Sequence, residues 1–380
     1  MNKSASSPAP APPRRAAKRA AISATIRREI TRGRYRPGAR LPNQLAFARR
    51  FRVSVLTVQR AMNELAREGF IETRHAQGTF VVAQPPHLNR YALIFHADPT
   101  ELELGGWSRL YATLHNAAMK LQQREGRQFE CFYGINGPDT ASYQRLLARA
   151  QAHQFAGLIF TTHPGRLVGS PLLAPAGLPR VGLMSDASFA KVLPQVAFDG
   201  RGWFEKAFDH LAARGCRRVA FVSQAGRRLP FGFDGTPAAL ARHKLTTRPE
   251  WNLPLPLWTD GAQHSVQLLM QSAGERPDAL VITDDNVVKP ALAGLLAAGV
   301  SVPEDVAVVA HANFPRSGPR GLPLTWLGYD NYAALAACVA VIDCQCRGDK
   351  PPGGRLLPAR FEQELTTRTK VTELAPARPN

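Results

Sequence analysis

Residues 41–82 read LPNQLAFARRFRVSVLTVQRAMNELAREGFIETRHAQGTFVV. Asn43 is a capping residue type, and the helix it opens runs to about Phe51. Arg52-Val53 makes a tight turn, and Ser54 caps a further helix with Val58, Met62 and Leu65 on its inner face. Gly69 ends that helix, since glycine takes the left-handed conformation a helix stop requires. Two β-rich runs follow, Phe70–Arg74 and Thr79–Val82, split by a hairpin tip at His75-Ala76-Gln77-Gly78.

Upstream, Ile22, Ile26 and Ile30 recur every four residues, one stripe of a first helix, and Gly33 with Pro37-Gly38 breaks it into a loop. Three helices and a hairpin in residues 20–82 predict a winged helix-turn-helix, whose later helix enters the DNA major groove. Residues 1–19, rich in Pro, Ala and Ser and then basic, are expected to be a disordered tail. Residues 83–89, with Pro85-Pro86, are expected to be an extended linker. Charge supports the reading of the head. Residues 1–90 hold 18 Lys or Arg and four acids, whereas residues 91–380 hold 30 basic and 25 acidic side chains. A basic head on a nearly neutral body marks a polyanion-binding module joined to something else.

The head resembles the DNA-binding domain of the GntR family. The matching residues are Ile26…Ile30, Gly33, Pro37-Gly38, Leu41-Pro42, Leu45-Ala46, Val53-Ser54, Thr57-Val58, Ala61, Leu65, Glu68-Gly69 and Gly78-Thr79-Phe80-Val81. The family places arginines at three contact points where this chain has Leu45, Val55 and Gln59. The resemblance therefore implies a half-site unlike the family's common one, with Gln59 suited to adenine and part of the specificity resting on groove shape. The candidate reading residues are Ser54, Thr57, Gln59 and Arg60; Arg49, Arg50 and Arg52 are candidates for phosphates; Arg74, His75, Gln77 and Gly78 form the candidate wing contacts.

From Arg90 the pattern becomes strand, helix, strand, helix, and it restarts after Gln195–Phe198. Such alternation predicts parallel sheets with helices on both faces. The fold class is thus α/β, a winged helix-turn-helix plus a two-lobed effector domain over residues 90–370. Lobe 1 is expected at about 90–198 and 329–347, lobe 2 at about 199–328 and 348–370, with 371–380 a tail.

This half resembles the effector domain of the LacI family and the periplasmic binding proteins. The resemblance is carried by Val196-Ala197-Phe198-Asp199, by Arg214-Gly215-Cys216-Arg217-Arg218-Val219-Ala220-Phe221-Val222, by Pro277-Asp278-Ala279-Leu280-Val281 through Asp284 to Val302-Pro303-Glu304-Asp305-Val306, and by Leu324-Thr325-Trp326. It implies a homodimer and a small-molecule effector of the sugar or purine class between the lobes. Ligands of open α/β sheets bind at the carboxyl ends of strands. The candidates there are His96, Asp98, Arg227, Arg228, Asp234, Asp284, Asn313 and Tyr329, with Trp107 and Phe231 available to stack on a sugar face. Asp284 is matched to the family's Asn-Asp pair, with Thr283 in place of the Asn, and Ala310-His311-Ala312-Asn313 replaces its Gly-Phe-Asp-Asp. His163 and His311 are taken as strand-end histidines.

Other classes find little footing. No apolar run approaches the roughly 18–20 residues that span a bilayer, and the first residues lack the apolar core of an export signal, so a cytoplasmic protein is expected. The five scattered cysteines are expected to be reduced thiols, and Cys344-x-Cys346 has no partners at zinc spacing. No Gly-rich phosphate loop, H-E-x-x-H or G-x-S-x-G motif is present, so no catalytic residue, cofactor or metal is expected. The expected function is a sequence-specific repressor whose affinity for a double-stranded operator is set by the effector. The alternative is a DNA-binding dimer whose effector domain has lost its ligand.

Overall fold

The structure is a computed structural model that describes residues 14–98, 109–174, 178–224, 232–255, 261–316, 323–349 and 354–365. The head comprises α1 (Arg14–Thr31), α2 (Gln44–Phe51), α3 (Val55–Glu68) and the antiparallel hairpin β1 (Ile71–Arg74) and β2 (Gly78–Val81). Helix α1 begins at Arg14, inside the stretch expected as a tail, because Ala16, Ala17, Ala20 and Ala21 are strong helix formers and Arg19 pairs with Glu64 of α3 at 3.6 Å. Asn43 caps α2, with Ala46 N–H donating to its Oδ1 at 2.8 Å, and Arg52 ends α2 at φ 53°. Ser54 caps α3 and Gly69 closes it at φ 85°. Ile22, Ile26, Ile30, Phe47, Val58, Ala61, Leu65, Phe70 and Val81 form one core.

The linker is not an extended spacer. Pro86–Asn89 is a helical turn, α4, because proline at a first helical position loses no hydrogen bond. Its residues tie the head to the body. His87 stacks on Phe70 of the head at 5.9 Å, and Asn89 Nδ2 donates to Gln84 Oε1 (3.0 Å) and to the Gly126 carbonyl (2.8 Å).

The body has two lobes. In the first, the strands and helices run β3 (Arg90–Ile94), α5 (Arg109–Glu125), β4 (Gln128–Phe132), α6 (Ala141–Gln151), β5 (Gly157–Phe160), β6 (Arg180–Leu183) and β7 (Gln195–Phe198). The chain then crosses to α7 (Gly200–Ala213), β8 (Val219–Gln224), α8 (Gly232–Arg242), β9 (Asn252–Leu255), α9 (Gly261–Gln271), β10 (Ala279–Ile282), α10 (Val288–Ala297), β11 (Ala307–Phe314) and β12 (Thr325–Asp330). It returns in α11 (Asn331–Cys346) and β13 (Arg355–Leu357), and ends in β14 (Arg360–Phe361).

The first sheet has the order β13-β7-β6-β5-β3-β4, all parallel; the second is β14-β12-β11-β10-β8-β9, parallel except for β14. Residues 355–357 were expected in the second lobe. They extend the first sheet instead, because the backbone of β7 is open on that edge and the crossing falls later, before Arg360. Helix α11 buries Leu335, Cys338 and Ile342 against the first lobe. Strand β9 and helix α9 carry no clear sequence signal, since Pro254 interrupts the strand pattern of an edge strand.

Candidate functional site

The candidate recognition surface of the head lies at the starts of α2 and α3. Ser54 Oγ accepts from Thr57 N–H (3.3 Å) and lies 2.9 Å from Thr57 Oγ1, so these two hydroxyls order the first turn of α3. Gln59 and Arg60 follow on its exposed face. Arg49, Arg52 and Arg60 are exposed, and none has an ion-pair partner among the described residues. Arg50 differs. It donates to Glu29 of α1 at 2.9 Å through Nη1 and also through Nη2, and Arg34 holds the same carboxylate at 3.0 Å. The hydrogen bond from Arg50 holds the Glu29 carboxyl below its ordinary range. Arg50 therefore ties α2 to α1 and is not a free phosphate ligand.

At the wing, Arg74 pairs with Glu72 (2.7 Å) and its guanidinium lies over the Phe80 ring at 4.5 Å. His75 and Gln77 are exposed at the tip. Gly78 sits at φ 113°, where a side chain would be strained and would meet Arg40 Nε at 3.0 Å. Arg40, which bridges to Phe80 and lies against the wing, escaped the sequence reading because only the tertiary fold brings it there.

The second site lies where the carboxyl ends of the two sheets face one another. Asp284 and Asp285 follow β10, and both are buried. Asp284 Oδ1 accepts from Asn286 N–H (2.9 Å) and Nδ2 (2.7 Å). Asn286 Oδ1 in turn accepts from the Arg109 N–H at the start of α5, 3.1 Å away in the other lobe. Asp285 is only 3% exposed and accepts from Asn313 N–H (3.1 Å) and Nδ2 (3.1 and 3.2 Å). Desolvation raises its pKa, because burial disfavours the anion. Asn331 Nδ2 completes the chain, donating to Asn313 Oδ1 (3.2 Å) and to Thr113 Oγ1 (2.7 Å) of α5. Two side-chain bridges thus join the lobes, and both end on α5.

Of the residues named from the sequence, Asp284 and Asn313 belong to these bridges. Asp285, Asn286, Asn331 and Thr113 were missed; Asp285 and Asn286 directly follow Asp284, while nothing local marks Asn331 or Thr113. His96 follows β3 on the first lobe, its Nδ1 2.8 Å from the Tyr111 hydroxyl and 3.1 Å from Thr162 Oγ1, and burial lowers its pKa. Asp98 lies beside Gly134 at the end of the same strand. His163, taken as a bystander, is 2.8 Å from Asp186 and packs on Phe189. Tyr329 is not turned to the cleft. Its hydroxyl donates to the Asp199 carbonyl (2.9 Å) and its ring stacks on Phe198 (4.5 Å), which makes it part of the hinge. Trp107, Arg227, Arg228 and Phe231 lie outside the described residues, and of Asp234 only the backbone, in α8, is described. Among the described residues no group of three or more His, Cys, Asp or Glu is placed to hold a metal, and no helix is long and apolar enough to cross a membrane.

Carboxylates, amides and hydroxyls around a cleft suit a polyhydroxylated guest, while a basic helix-turn-helix suits DNA. With the two-lobed body, the head defines a class, a DNA-binding transcription regulator. Residues 18–81 match the family model described as bacterial regulatory proteins, gntR family, and residues 208–359 match the periplasmic binding protein-like domain. The chain thus carries a GntR-type helix-turn-helix and a periplasmic-binding-protein-like domain. It is 24% identical over 317 residues to the arabinose metabolism transcriptional repressor of Geobacillus stearothermophilus, covering 78% of this chain and 82% of that one. It is 29% identical over 181 residues to the HTH-type transcriptional regulator GntR of Pseudomonas aeruginosa, covering 45% of this chain and 50% of that one. The fold is shared with a LacI family transcriptional regulator from Lactobacillus casei with bound glucose (TM-score 0.54, 20% identity, 72% of this chain and 98% of that one). It is also shared with a regulatory protein of the LacI family from Chloroflexus aggregans (TM-score 0.57, 16% identity, 71% and 96%).

Proposed function

We propose that the chain is a cytoplasmic transcriptional repressor, acting as a homodimer, whose grip on a double-stranded operator is released by a small molecule bound between its lobes. The observation that carries this reading is the bridge Asp285–Asn313–Asn331–Thr113, which places polar side chains of both lobes in one network at the sheet ends. A guest that competes for those groups changes how α5 sits on the second lobe. The same first lobe is fastened to the head through α4, by His87 on Phe70 and by Asn89 on Gly126. A shift between lobes therefore has a mechanical route to the reading helix. Two heads on one dimer would meet half-sites roughly 34 Å apart.

The donor and acceptor types favour a neutral polyol of the sugar class over a purine. The names of the compared proteins point the same way, one governing arabinose metabolism and one holding glucose. No catalysis is assigned. The test is a melting-temperature survey over sugars, sugar phosphates and purines. A ligand at about 100 times its Kd should add about 2.7 kcal/mol, a rise of several degrees. No rise across the panel would turn the reading to a ligand-free dimerisation body. One observation favours that second reading: Asp284 and Asp285 are each already satisfied by a neighbouring asparagine.

A further inference from the structure

The head leaves three large apolar side chains in the open. Leu45 is 50% exposed, Val55 41% and Leu56 55%, and no other large hydrophobic of residues 17–81 is as exposed. Single exposed leucines are ordinary on protein surfaces. Leu45 lies on the first turn of α2, and Val55 and Leu56 open α3, the two helix starts that carry the candidate reading residues. The inner face of α3 is Val58, Ala61, Met62 and Leu65, so helical spacing sends Leu56, Gln59 and Arg60 outward together. Arg49 and Arg52 stand nearby without an ion-pair partner among the described residues. Exposed apolar side chains that share two helix starts with exposed arginines are poorly matched to an apolar protein surface, which would leave those charges desolvated. They are well matched to a groove edged by phosphates. In the DNA major groove the apolar group on offer is the C5-methyl of thymine, and the adenine of a neighbouring pair presents N6 and N7 to glutamine.

We propose that Val55 and Leu56 of α3, and Leu45 of α2, read thymine methyl groups, and that Gln59 reads an adjacent adenine. The contacted part of the half-site is then A·T-rich. This inference rests on the DNA-binding reading above and adds to it the base class that is recognised.

The test has two stages. Full-length protein first selects duplexes from a random-sequence pool, and the enriched sequence is then made with deoxyuridine in place of thymidine, one position at a time. Uracil pairs like thymine and lacks only the methyl. Each contacted methyl should be worth about a fourfold loss of affinity, the transfer value of one buried carbon. Leu56→Ala and Val55→Ala, both at exposed positions, should bind thymine and uracil duplexes equally at their own positions. Enriched duplexes that are bound tightly yet are indifferent to every uracil substitution would overturn the inference and leave DNA binding intact. Alanine variants that keep the uracil response but change the oligomeric state would make the face a protein contact and overturn it as well. A pool with no enriched sequence would overturn the DNA reading itself, and the inference with it.

Discussion

The His87 ring lies nearly parallel to the Phe70 ring, 5.9 Å between centroids and 10° between planes, and this stack is one of the fastenings between the DNA-binding head and the two-lobed body. Burial and the nearby His153 lower the His87 pKa from an ordinary 6.5 to about 4. The unfolded chain therefore binds a proton at a pH where the folded one does not. Stability at this site is fully present above about pH 6.5 and is lost as pH falls toward 4. After discounting for solvent reaching a half-buried ring, the loss is about 1 to 2 kcal/mol. Melting curves between pH 7.5 and 4.5, taken for wild type and His87→Phe, should show a shallower fall in the variant. Parallel curves would mean that other groups set the acid response; His210, also lowered to about 4 by burial, is the first of these.

A second tie holds the C-terminal end of α3. Arg27 of α1 makes a bidentate pair with Glu68 at the end of α3, at 2.6 and 2.8 Å, and Arg90 of the first lobe approaches the Glu68 carbonyl at 3.5 Å. Removing one partner of a buried pair leaves an uncompensated charge. Glu68→Ala should cost about 3 kcal/mol in urea unfolding of the head. A cost under about 1 kcal/mol would mean that the pair is as weak as an exposed one.

Two neighbouring arginines are predicted to behave differently. Arg49 has no ion-pair partner among the described residues, whereas Arg50 is held by Glu29. Arg49→Ala should reduce the slope of log affinity against log salt by about 0.9, the value of one phosphate, without changing the melting point. Arg50→Ala should lower the melting point and leave the slope nearly unchanged. The reverse pattern would show that the Glu29 pair opens on DNA.

Between the lobes, Asp285 reaches the first lobe through the side chains of Asn313 and Asn331, whereas Asp284 reaches it through Asn286 and the Arg109 backbone N–H. Asp285→Ala should abolish the ligand-induced rise in melting temperature. Asp284→Ala should weaken it by about tenfold in Kd, the worth of one hydrogen bond to a charged group. Equal effects from both would place the ligand over the whole loop.

The head was legible because its boundaries are local. Asn43, Ser54 and Gly69 act on backbone groups within three residues of themselves, and their geometry follows from residue type. Pro86 misled, since a proline that starts a helical turn and a proline in an extended spacer look alike in one dimension. The cleft was half legible. Strand ends pointed to Asp284 and Asn313, but that Asp285 is buried beside Asp284 and meets Asn313 depends on the loop that follows β10. Thr113 and Asn331 meet across 218 residues, and no local pattern encodes that contact. Tyr329 was misplaced for a related reason: being near the last crossing does not say whether a ring faces the cleft or the hinge.

The central claim is that occupation of the cleft alters the grip of the head. The direct measurement is fluorescence anisotropy of a selected duplex with full-length protein, with and without a sugar that raises its melting temperature. The account predicts at least a tenfold loss of DNA affinity on adding the sugar, and no loss in Asp285→Ala. A sugar that binds the wild-type protein and leaves DNA affinity unchanged would contradict it.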